Sequence, residues 1–131
     1  MTAEESPEAR RADGHTGEAL TADTIFDLLS NGRRRRLIRQ LRGCEGEVAF
    51  KHLYERLAAQ EVAGRASGEA TVRYRDRKRV YVSLRQTHLP RLVEAGVLEY
   101  DDDAKTVTTQ APVEPLWDVL DRVEQVATAE P

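Results

Sequence analysis

The chain has 131 residues, 20 basic and 23 acidic side chains, a formal net charge of −3, and 40% apolar residues. That is enough for one small core with tails, and no apolar run approaches the 18 residues that a membrane-spanning helix needs. A single cysteine, Cys44, excludes an intrachain disulfide and a thiolate metal cluster.

The charge is unevenly spread. Residues 1–20 hold 2 basic against 5 acidic side chains, residues 21–110 hold 17 against 13, and residues 111–131 hold 1 against 5. The middle is the basic part, which matters more to a polyanionic partner than the overall balance. Arginine outnumbers lysine 17 to 3.

Residues 1–20 are rich in Glu, Ala, Gly and Arg, with Leu20 as the one sizeable apolar side chain. Too little apolar surface is available there to offset ordering entropy, so an acidic disordered tail is expected. It has no apolar stretch of the secretory kind, which points to an intracellular, cytoplasmic protein. Thr21 or Asp23 can cap a first helix made apolar by Ile25, Phe26, Leu28 and Leu29. Asn31-Gly32 reads as a break or C-cap. A second helix is expected over 33–42, with Leu37, Ile38 and Leu41 inward and Gly43 ending it. Residues 47–49 suggest a short strand or extended entry. A third helix over 50–60 carries Phe50, Leu53, Tyr54, Leu57 and Ala58 at helical spacing. Residues 62–71 form a loop.

The long basic segment follows. Val80, Tyr81, Leu84, His88, Leu92 and Ala95 share one side at 100° per residue, predicting a helix over 72–95 with a kink or break near Pro90. The other side presents Arg75, Arg79, Val82, Ser83 and Gln86. Residues 73–91 hold Arg73, Arg75, Arg77, Lys78, Arg79, Arg85 and Arg91 against one acid, Asp76. An ordinary solvated face mixes both signs, whereas a basic helix fits the major groove of DNA, where Arg reads guanine and Gln reads adenine. Residues 97–100 and 106–110 make a hairpin around Asp101, Asp102, Asp103, Ala104 and Lys105. Pro112 and Pro115 open a last helix with Val113, Leu116, Trp117, Leu120, Val123 and Ala127 on one stripe.

The expected class is therefore mainly α with a small β-hairpin, a winged helix-turn-helix over 21–110 followed by a C-terminal helix over 111–131. Residues 23–38, 52–61 and 77–101, above all KRVYVSLRQTHLPRL, resemble the haloarchaeal winged helix-turn-helix transcription regulators and more loosely the ArsR-like regulators, across about residues 23–110. The resemblance implies a helix in the major groove and frequent dimerisation. The loop at 62–71 is longer than the usual turn, and three aspartates stand where a DNA-contacting wing would hold Arg or Lys.

On this reading Arg75, Arg79, Ser83 and Gln86 meet base edges, and Arg35, Arg36, Arg73, Lys78 and Arg85 meet phosphates of double-stranded DNA. Arg34 shares the side of Leu37 and Leu41 and should pack its stem there, paired with an acid. His88 should pack with one hydrogen bond, and Cys44 should be an inert thiol. Val113, Leu116, Trp117, Leu120 and Val123 would form a homodimer interface, because the winged helix closes without them. No metal-ligand spacing, phosphate loop or catalytic constellation is present, so no cofactor and no enzymatic activity are expected. The competing expectation is a protein-interaction module, favoured by the acidic wing.

Overall fold

The computed structural model describes residues 20–65 and 71–128; apart from Leu20, the tail expected over 1–20 lies outside them. Thr21 starts the first helix, α1 (Ala22–Leu28), by accepting the Thr24 amide on its hydroxyl at 3.1 Å. Asn31 then begins the next helix rather than only ending the first. Its side-chain oxygen accepts the Arg34 amide at 3.0 Å, so Gly32 is the first residue of α2 (Gly32–Arg42). Arg34, Leu37, Ile38 and Leu41 fall on its buried face. Of the apolar residues of α1 and its end, Leu28 and Leu29 are buried while Phe26 is 68% exposed.

Strand β1 (Val48–Ala49) leads directly into α3 (Phe50–Ala63), whose Phe50, Leu53, Leu57, Ala58 and Val62 are buried. The basic segment is one helical run in three parts: α4 (Tyr74–Ser83), a π turn (Leu84–His88) and α5 (Leu89–Glu94). The π turn is the form taken by the break expected near Pro90. Proline has no N–H, and its ring crowds the carbonyl four residues back. The ladder widens just before it, and the Leu89 amide bonds to the Leu84 carbonyl, five residues back. At the far end Gly96 has φ +78°. Its amide bonds to Val93 O, and the Val97 amide to Leu92 O, both at 3.0 Å. This is a Schellman cap, closed by buried Leu92 and Val97. It turns the helix into β2 (Leu98–Asp101).

Strands β2 and β3 (Thr106–Thr109) form the hairpin, and β1 joins the other edge of β3, giving an antiparallel three-stranded sheet in the order β1-β3-β2. Val107 faces Tyr100 on one side and Val48 on the other. Helix, strand, helix, helix, hairpin in this order with this sheet is a winged helix, preceded by α1 and followed by α6 (Val113–Thr128).

Helix α6 corrects the assembly expectation. Val113, Leu116 and Leu120 are buried in the same cluster as Leu37, Ile38 and Leu41. Half-buried Trp117 donates its Nε1–H to Ile38 O at 2.8 Å, Arg42 binds Asp121 at 2.6 Å, and Arg39 pairs with Glu124. A winged helix leaves one side of its first bundle helix uncovered, and α6 closes that side within the chain. Of the supposed dimer stripe only Val123 stays open, 52% exposed, beside Val126 at 57%. No helix among the described residues is long and apolar enough to cross a membrane.

Candidate nucleic-acid interface

Helix α4 starts on a carboxylate. Asp76, three residues into the turn, accepts the Arg73 amide at 2.9 Å and is itself held by Arg65 at 2.7 Å. The Arg65 hydrogen bond, then the Arg73 amide, keep its carboxyl below the ordinary value. The lone acid of the basic segment is thus turned inward and buried. Val80, Leu84 and His88 bury the inner face of the run. Arg73, Arg75, Lys78, Arg79 and Gln86 are exposed and Ser83 is half-buried. A shallow concavity is lined by Arg33, Tyr74, Arg75, Lys78, Arg79, Val82 and Ser83.

Most other arginines are already engaged. Arg33 holds Glu61 through two hydrogen bonds at 2.6 and 2.7 Å, and Arg36 reaches the same carboxylate at 3.1 Å. These bonds, Arg33's the strongest, hold Glu61 below the usual carboxylate range and raise Arg33. Arg91 binds Asp27 at 2.8 Å. Among the described residues, no salt bridge ties Arg73, Arg75, Arg77 or Arg79 to an acid, although Arg75 lies near enough to Asp76 to feel its charge, and Lys78 lies over the Tyr74 ring. Five of the cations without a salt bridge follow one another closely at the start of α4, while Lys51, Arg56 and Arg122 stand singly on other helices.

Three residues assigned to phosphate contact have intrachain partners instead of standing free. Arg35 donates to Leu29 O at 2.6 Å, Arg36 is tied to Glu61, and Arg85 is drawn to the wing, 3.1 Å from Asp102 and stacked over Tyr100. Arg34 packs as expected but finds no acid. Its guanidinium donates to Leu28 O at 2.7 Å and to Asp27 O at 2.8 Å, and its third contact is His88 Nδ1 at 3.1 Å. Arg34 and Arg35 together satisfy the carbonyls that end α1, and burial lowers the Arg34 pKa. The wing aspartates serve the turn: Asp101 accepts the Asp103 and Ala104 amides at 2.9 and 3.0 Å, while Lys105 takes φ +59°. Half-buried Cys44 donates weakly to Gln40 O at 3.5 Å. Among the described residues no cluster of His, Cys, Asp or Glu is arranged to hold a metal.

Glu61 and Arg33 were missed in the sequence. They stand 28 residues apart, beyond the reach of helical spacing rules, and the arginine run masked which member met which partner.

A family model described as a domain of unknown function, DUF7344, matches residues 26–108. The chain belongs to that family. The match runs from α1 through β3 and stops before α6, so the unpaired cations of α4 lie inside the family domain and the helix that completes the core lies beyond it. No curated protein and no solved structure matches the chain.

Proposed function

We propose that this DUF7344 protein is a sequence-specific, double-stranded DNA-binding transcription regulator that sets α4 in the major groove. The observation that carries the reading is the cluster of cations on the exposed start of α4 that form no salt bridge among the described residues, with the helix's single acid buried inward. Arg75 and Arg79 have free guanidinium forks for guanine edges, Gln86 and Ser83 stand further along, and Arg73 and Lys78 reach phosphate. The wing, with Asp101 to Asp103 at its tip, stays out of the groove. With its resemblance to haloarchaeal regulators, the protein works in the cytoplasm and needs no cofactor or catalytic group.

Fluorescence anisotropy with a random duplex, repeated over a salt series, tests this. Binding should weaken on a log–log line with a slope of roughly −0.9 per phosphate contact. On a duplex selected from genomic DNA, Arg79→Ala should lose about 1–3 kcal/mol, as for one bidentate base contact. Absence of any binding at low salt refutes the proposal and leaves the protein-interaction module, for which the acidic wing speaks.

A further inference from the structure

A second flank of α4 differs from the face assigned to base edges. Tyr74 and Tyr81 stand seven residues apart, so they fall within about 20° of each other around the helix and about 10 Å apart along it. Arg75 and Arg79 lie roughly 100–140° further round from Tyr74. Both tyrosines are exposed, Tyr74 by 68% and Tyr81 by 39%. Arg77 and Lys78 sit on either side of the line that joins the two rings, and neither forms a salt bridge among the described residues. Arg85 continues the flank one turn beyond Tyr81, stacked over Tyr100 of the wing.

The two rings are held differently. Tyr81 is braced from behind. Its ring meets Tyr54 at 5.2 Å with the planes 74° apart, and Phe50 at 5.6 Å. Phe50 is buried and also touches Tyr54 and Tyr100, so Tyr81 is fixed on a floor of packed rings with part of it in water. Tyr74 meets no other ring among the described residues; the Lys78 ammonium lies over it, 5.9 Å from its centre. Packing therefore accounts for Tyr81 in part and for Tyr74 not at all. Exposed rings alternating with cations along one line suit a single strand, whose bases stack on the rings while its phosphates pass the cations. A duplex cannot use these rings, because its bases are already stacked inside it. The wing bounds the flank at one end, where Asp102 holds Arg85 and would repel phosphate.

We propose that this flank binds single-stranded DNA, with unpaired bases stacked on Tyr74 and Tyr81 and the phosphates between them met by Arg77 and Lys78. The strand runs from Tyr81 toward the start of α4, away from the wing carboxylates. The site shares Lys78 with the duplex-reading face but takes its bases on rings that the other face does not use, so either activity can fail without the other.

Fluorescence anisotropy of the full chain decides it, with labelled oligothymidine of about twelve nucleotides, within the span of such sites, and an abasic strand of the same length at the same salt. Oligothymidine should bind roughly ten times more tightly than the abasic strand, which keeps the phosphates and lacks the bases. Tyr74→Ala, an exposed change that leaves the core intact, should weaken oligothymidine binding roughly five- to a hundredfold, as for one lost base stack, and leave the abasic strand unaffected. Tyr74→Phe keeps the ring and should bind as the wild type does. Gln86→Ala, an uncharged change on the duplex-reading face, should alter neither strand. Equal binding of the two strands overturns the proposal, since charge alone would then hold them. So does wild-type affinity in Tyr74→Ala, an equal loss in Tyr74→Phe, or no binding of oligothymidine at low salt.

Discussion

His88 should make this domain acid-sensitive well above the pH at which its carboxylates titrate. It sits in the π turn, buried, with Nδ1 accepting from Arg34 Nη1 at 3.1 Å. That bond requires the neutral ring, since a proton on Nδ1 would point at a guanidinium. Burial, then the charges of Arg34, Arg33 and Arg91, push its pKa from the ordinary 6.5 down to about 4. A histidine with a lowered pKa contributes stability above its unfolded value and loses it as pH falls, because the unfolded chain takes up the proton first. Near 1.4 kcal/mol per unit, the loss is about 2 kcal/mol by pH 5 and about 3 kcal/mol once pH passes below the folded value. This is a large part of a small domain's stability. Urea unfolding from pH 7.5 to 4, on the wild type and on His88→Gln, isolates the effect. The variant is less stable at neutral pH, because Arg34 loses its acceptor, but its curve should be flatter by about 2 kcal/mol between pH 7.5 and 5. Parallel curves for the two proteins would show that His88 is protonated in the fold or that Arg34 moves aside.

The remaining expectations concern α6 and the wing. Leu116→Ala should cost about 2–5 kcal/mol, as for other fully buried leucines, and truncation after Gln110 should unfold the chain; a truncated protein that stays folded by circular dichroism would mean that α6 is not part of the core. Changing Asp101, Asp102 and Asp103 to Asn should leave the sequence preference of DNA binding unaltered while releasing Arg85 from Asp102. A sharp fall in affinity, measured by anisotropy, would put the wing in the groove after all.

Much of the fold was legible because it depends on local periodicity and local caps. Leu37, Ile38 and Leu41, then Leu53 and Leu57, then Leu84 and Leu92, repeat at helical spacing, and all are buried. Gly43 and Gly96 follow the ends of α2 and of the basic run as the sequence suggests, although only Gly96, at φ +78°, takes a conformation that favours glycine. The stripe of α6 was equally plain, but an apolar stripe says only that something covers it. What covers it here is α2, through Ile38 and Trp117, a contact 79 residues apart in the chain. The arginine run shows the same limit. Helical geometry separated Arg34 from its neighbours, yet the carbonyl end of α1 decided the places of Arg34 and Arg35, and Glu61 decided that of Arg36. One-signed charge on the long helix could be read directly. Which of its cations stay unpaired depended on where Asp102 and Asp27 came to rest in space.

The π turn also limits how much DNA one chain can inspect. It leaves α4 ten residues of regular helix, about 15 Å at 1.5 Å per residue, the length of roughly four base pairs. A sequence that short recurs by chance on the order of once in a few hundred base pairs, far too often to mark a single locus in a genome. If this face reads base edges, the address must be completed by a second reader, another copy or a different protein. With Val113, Leu116 and Leu120 enclosed in their own chain, the surface that joins the two readers lies elsewhere on the molecule.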